Sequence, residues 1–180
     1  MPRIVPAEPP YEPEIAAAFE RIMPPGVPPL VLFRTLARNP RIFARTFAGG
    51  LLDKGSLSLR QREIVIDRTT ARLGCEYEWG VHLAFFGERV GLTAEQTAAT
   101  VAAAADAACW SGDEQALIAL VDDLVDRRNI AAATWHDLRA CFDDMQILEA
   151  VALTGYYHTI SFFCLALELP LEPYAARFPA

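Results

Sequence analysis

The chain has 180 residues, 53% of them hydrophobic and 22% charged, enough to bury one core without dividing into two domains. Its net charge is −7 and its isoelectric point is near 5.0. Its Lys and Arg residues are scattered, so the basic stripe of a nucleic-acid binder is missing and an anionic membrane surface makes a poor partner.

In chain order, the first thirty residues hold much of the proline, at Pro6, Pro9, Pro10, Pro13, Pro24, Pro25, Pro28 and Pro29. Proline stiffens the chain and bars a helix interior, so residues 1–30 read as an arm carrying one short helix, Glu14 to Met23. Such an arm is expected to wrap a neighbour rather than build the core. Residues 31–180 read as a single helical domain. Asn39 and Pro40 pair a capping residue with proline at the first helical position, which opens a helix expected to run to Leu52.

Ser58 with Gln61 forms a capping box, starting a helix that should last to Gly74. Cys75 begins the next, ending near Gly91. Thr93 with Gln96 and Ser111 with Glu114 repeat the box, and Thr134 and Asp143 mark two further starts. Alanine-rich Thr97 to Ala108, and the apolar set Leu117, Leu120, Val121, Leu124 and Val125, both favour helix. The expectation is all-α: seven to nine helices and no sheet.

No signal-peptide pattern opens the sequence, and apolar stretches such as Ile160 to Leu167 fall far short of the roughly 20 residues of a spanning helix. A cytoplasmic protein is expected. Cys75, Cys109, Cys141 and Cys164 stand at wide, irregular intervals, which suggests neither a disulfide scaffold nor a zinc ribbon.

At about 100° per residue, Cys75, Glu78, His82 and Arg89 share one narrow helical arc, flanked by Phe85 and Phe86. A thiol, a carboxylate, an imidazole and a guanidinium thus face the same way. Trp79 beside them favours burial, so a polar group there needs a partner. Glu63 sits at the edge of the preceding helix's apolar stripe. Since only Gly74 joins the two helices, Glu63 is placed to approach His82 and hold one imidazole tautomer. Glu78 and His82, four residues apart, could also grip an ion with Cys75 or Glu63, but no second histidine is placed to join them, so no metal is expected.

The run Arg60-Gln61-Arg62-Glu63-Ile64, then Gly74-Cys75-Glu76-Tyr77-Glu78-Trp79, then His82 and Gly91-Leu92, resembles the signature of the carboxymuconolactone decarboxylase / alkyl hydroperoxidase D-like family. That signature is a glutamate, a cysteine twelve residues on and a histidine seven beyond, matched at Glu63, Cys75 and His82. The likeness is firm from Asn39 to Ala105. The remainder, including Thr134-Trp135-His136 and Gly155-Tyr156-Tyr157-His158, looks like the family's longer members. The resemblance implies an all-α helical bundle of the alkyl hydroperoxidase D type assembled as a homo-oligomer, a trimer or hexamer.

In the hydroperoxidase branch the cysteine opens a Cys-x-x-Cys pair that cycles through a disulfide, with the histidine and glutamate relaying protons. Here Glu78 replaces the second cysteine. With Cys109, Cys141 and Cys164 on other helices, Cys75 is expected to form no disulfide within the chain. The decarboxylase branch also lacks the pair, and its chemistry suits a histidine acid or base on a carboxylated lactone. The leading expectation is therefore an enzyme, more lyase-like than peroxidase-like. His82 acts with Glu63, Glu78 and Cys75 on a small-molecule substrate bound by Arg89, Arg62, Tyr77 and Trp79, without a cofactor. Two alternatives stand beside it: a peroxiredoxin-like, thiol-dependent peroxide reductase that uses Cys75 with an external thiol, and a non-catalytic oligomeric binding protein.

Overall fold

The computed structural model describes residues 1–48, 51, 53–102 and 104–179. Among these are nine α-helices and no strand: α1 Pro13–Ile22, α2 Val31–Leu36, α3 Pro40–Ala48, α4 Leu59–Arg72, α5 Glu76–His82, α6 Ala94–Ala102, α7 Gly112–Arg127, α8 Ala132–Cys141 and α9 Asp144–Ala166. A π-helical turn, Leu83–Gly87, continues α5.

The capping signals locate most of these ends. Ser58 and Gln61 close a reciprocal box at α4, as do Ser111 with Glu114 at α7 and Asp143 with Gln146 at α9. Each satisfies two amide donors that a helix start otherwise leaves bare. The expected start at Thr134 is corrected. Helix α8 opens at Ala132 with no side-chain cap of its own. Instead Asp123 of α7 accepts from the Ala131 amide (2.9 Å) and the Thr134 hydroxyl (2.7 Å), a tertiary cap that local spacing cannot reveal. The expected end of α3 at Leu52 lies outside the described residues.

Helix α2 was not foreseen, since Pro28 and Pro29 suggest extended chain and Leu30 offers no capping side chain. The arm is also corrected. Ile15 and Phe19 of α1 are buried in the main core, and Phe19 meets Tyr11 and Phe43 edge to face at 5.0 and 5.5 Å. The arm folds onto its own domain because the apolar side of α1 finds the α2–α3 hairpin close at hand.

Helix α4 is the central strut, packed by α5, α6, α7 and α9. Every residue from Arg62 to Thr70 is buried, where the sequence suggests one apolar stripe. Polar side chains enclosed in this way need partners. Arg68 meets Asp122 through two 2.8 Å bonds, and Thr69 and Thr70 donate to carbonyls one turn back. Asp67 has no partner for either oxygen.

Gly74, at φ +69°, ends α4. The Cys75 amide reaches Thr70 O (2.8 Å) and the Gly74 amide reaches Ala71 O (2.9 Å), a Schellman closure that needs a left-handed residue between. Chain direction reverses within one residue, so α5 lies directly against α4. The segment after α9 then crosses α5. The Ala176 amide donates to Gly80 O (3.1 Å), the Phe178 amide to Glu76 (2.8 Å), and Phe178 packs on Trp79. A side chain at Gly80 would collide with the Ala176 carbonyl.

Candidate functional site

The Gly74 reversal sets Glu63 of α4 opposite His82 of α5, with His82 Nδ1 2.7 Å from Glu63 Oε2. The other oxygen, Glu63 Oε1, accepts from Arg62 Nε (3.1 Å) and a terminal nitrogen (3.0 Å). Glu78, one turn before His82, brings Oε2 to 3.7 Å from His82 Nε2. All four side chains are buried. Tyr157 of α9 meets the His82 ring edge-on at 5.0 Å, and Phe86 flanks it at 5.6 Å. The π-helical turn adds a residue to its turn, which keeps Phe85 and Phe86 on the His82 side.

Burial alone would depress the His82 pKa. The charge of Glu63 and its hydrogen bond, then Glu78 and Asp67, outweigh that and raise it above 6.5. Burial raises Glu78 against the opposing pull of His82, with Glu172 adding to the rise. Burial likewise lifts Asp67 well above its ordinary range. The site therefore joins one imidazole that favours its proton to two carboxyls that resist losing theirs.

A cavity of about 510 Å³ opens beside this array, within the size range of small-molecule sites. Leu32, Phe33, Phe47, Phe85, Phe86 and Ile160 give it apolar walls, while Arg62, Glu78, His82 and Arg89 present polar groups. Asp53, Lys54 and Arg89 are exposed at its edge. Tyr156 and Tyr157 of α9 also line it, and the sequence assigned them no role. Tertiary packing alone brings α9 to the imidazole.

Two residues expected to bind substrate lie elsewhere. The Tyr77 hydroxyl donates to Glu172 (2.6 Å) and accepts from the Leu32 amide (3.0 Å), and Trp79 Nε1 donates to Thr100 (2.9 Å). Neither lines the cavity. Glu63 stands behind His82 rather than on the wall. Cys75, the N-cap of α5, is fully buried and off the wall as well. Cys164 of α9 is buried in the same core cluster, with its Sγ 4.0 Å from Glu78 Oε1. Among the described residues no group of three or more His, Cys, Asp and Glu side chains could hold a metal ion. No helix among them is long and apolar enough to cross a membrane.

Residues 41–122 match the Carboxymuconolactone decarboxylase family, a segment that contains Glu63, Cys75 and His82. The fold is that of an alkylhydroperoxidase core protein, an uncharacterized peroxidase-related protein from Ralstonia eutropha JMP134. The likeness covers 96% of this chain and 93% of that one, with a TM-score of 0.83 and 19% identity. An uncharacterized peroxidase-related protein from Silicibacter sp. TM1040 is similar over 99% of this chain and 96% of its own, with a TM-score of 0.81 and 19% identity. The debrominase Bmp8 is similar over 95% and 92%, with a TM-score of 0.77 and 13% identity. A cysteine-to-alanine variant of Bmp8 is known in complex with 2,3,4-tribromopyrrole. No curated protein matches the chain in sequence.

Proposed function

We propose, starting from the match of residues 41–122 to the carboxymuconolactone decarboxylase family, that this chain is an enzyme performing acid–base chemistry on a small, ring-bearing carboxylate or lactone. The observation that carries the reading is His82, with Nδ1 held at 2.7 Å by a buried carboxylate and its ring on the wall of an apolar cavity. With Glu63 accepting the Nδ1 proton, one tautomer is fixed and Nε2 is left to take or give a proton toward the cavity. Glu78 at 3.7 Å from Nε2 is the natural second proton carrier. Arg62 and Arg89 supply positive charge for a substrate carboxylate, and the aromatic walls accept a flat ring. A fold relative that binds 2,3,4-tribromopyrrole supports a ligand of that shape.

The test is a screen of small carboxylates and lactones for consumption by wild type against His82→Gln. Consumption of a compound by wild type, with binding but a rate roughly 10²–10⁴-fold lower in the variant, is expected. Equal consumption by both removes His82 from the chemistry. Compounds that bind the cavity and are consumed by neither protein would favour the non-catalytic binding protein.

A further inference from the structure

The hydroxyls of Tyr77, Tyr156 and Tyr157 fare differently. Tyr77 donates to Glu172 at 2.6 Å, and Tyr156 of α9 donates to the Thr46 carbonyl of α3 at 3.0 Å. Tyr157, the next residue of α9, is 2% exposed, yet its hydroxyl makes no hydrogen bond among the described residues. A buried tyrosine hydroxyl ordinarily finds a partner, so one without calls for an explanation.

The explanation lies in what the residue faces. Asp67, Trp110 and Ser161 hold polar atoms that are both unpartnered and sealed in the core. The Tyr157 hydroxyl is unpartnered without being sealed, because Tyr157 lines the cavity. Its ring is held on two sides, by His82 at 5.0 Å and 86° and by Tyr156 at 5.4 Å and 79°. Both neighbours are themselves tied, His82 to Glu63 and Tyr156 to Thr46. The donor is therefore fixed beside the imidazole before any ligand arrives. Burial lifts its pKa well above the ordinary range, and Glu78 and Glu63 add to the rise, so it keeps its proton.

We propose that Tyr157 is a further catalytic residue, whose hydroxyl donates to a substrate oxygen that gains negative charge as His82 moves a proton.

The proposal rests on the acid–base reading of His82 and narrows the substrate to a ring that bears a carbonyl. His82 Nε2 takes the proton from the carbon beside that carbonyl. The C–H electron pair becomes a C=C bond, the carbonyl π pair moves onto the oxygen, and an enolate results while the imidazole holds the proton. Tyr157 gives up no proton in this step. It donates a hydrogen bond to the enolate oxygen, and that bond is stronger than the one to the neutral carbonyl, so it favours the charged state over the ground state.

Para-nitrophenol is the probe, because its ionised form carries a charged oxygen on a flat ring as an enolate does; nitrobenzene offers the same ring without that oxygen. The full chain, as wild type and as Tyr157→Phe, is titrated with each by calorimetry at a pH where the phenol is ionised, and both proteins are melted. The substitution keeps the ring between His82 and Tyr156 and removes a hydroxyl with no protein partner, so the melting temperature should not fall. Wild type should bind the phenolate more tightly than nitrobenzene. Tyr157→Phe should lose roughly tenfold or more in phenolate affinity, as for a hydrogen bond to a charged group, and keep its nitrobenzene affinity. On any compound that the metabolite screen finds consumed, the variant should lower kcat roughly 10²–10³-fold with KM nearly kept. Unchanged phenolate affinity, equal loss for both probes, a wild type that binds neither, a lowered melting temperature or an unchanged kcat overturns the proposal. Probe binding needs no turnover, so its failure leaves the His82 reading standing, and a metabolite screen without a hit leaves the binding result standing.

Discussion

Glu78 stands between His82 and Cys164: one of its oxygens lies 3.7 Å from His82 Nε2 and the other 4.0 Å from Cys164 Sγ. Burial raises its pKa, His82 opposes the rise and Glu172 adds to it. A raised folded-state pKa means a stability contribution that is complete below the ordinary value of 4.5 and fades as pH climbs through the folded-state value. Glu78→Gln removes that titration. Its melting temperature relative to wild type should be level in acid and gain steadily as pH rises above 4.5, as followed by thermal melts across that range. A difference independent of pH would mean that Glu78 does not titrate in this window.

Arg89, on the cavity edge, is assigned to the substrate carboxylate. Replacing it with Gln should weaken binding of an aromatic carboxylate by about 1 kcal/mol, roughly fivefold in Kd, as suits a partly solvated pair. Binding of the matching neutral amide should be unchanged. Calorimetry on both ligands checks this, and equal loss for both would remove the charge argument.

Tyr77 is a fold residue in this structure. Its hydroxyl ties α5 to the Leu32 amide and to Glu172, which also accepts from the Val31 amide at 2.6 Å. Tyr77→Phe should cost about 1–3 kcal/mol of stability and leave turnover of any substrate unchanged. Denaturant melts beside rate measurements separate the two effects.

How much of this was legible beforehand depends on the range of the interaction. Ser58 with Gln61 and Asp143 with Gln146 act within one turn, so both helix starts could be read from spacing. The Glu63–His82 contact could also be anticipated, because Gly74 leaves the two helices no choice but to pack side by side. Tyr157 against His82 joins elements far apart in the chain, and Asp123 caps α8 from the neighbouring helix; neither contact follows a within-helix spacing. The enclosure of α4 was hidden for a related reason. Arg68 carries no local sign of burial, because the carboxylate that pairs with it, Asp122, stands on α7.

Helix α9 leaves Met145, Leu148 and Phe162 exposed. We propose that this face meets other copies of the chain, as expected from the family resemblance and from a mean hydropathy of +0.19. Wild type should sediment as a trimer or hexamer at micromolar concentration, and Leu148→Glu with Phe162→Glu should reduce it to smaller, folded species. A wild-type monomer would contradict the assembly.

The central claim is that Glu63 holds His82 as the proton-bearing group of the cavity. NMR titration of the His82 imidazole in wild type and in Glu63→Gln tests it most directly. The account predicts a wild-type midpoint above 6.5 that falls when Glu63 loses its charge, because burial then acts against the imidazolium with less opposition. A wild-type midpoint at or below 6.5, or one that Glu63→Gln leaves in place, would contradict it.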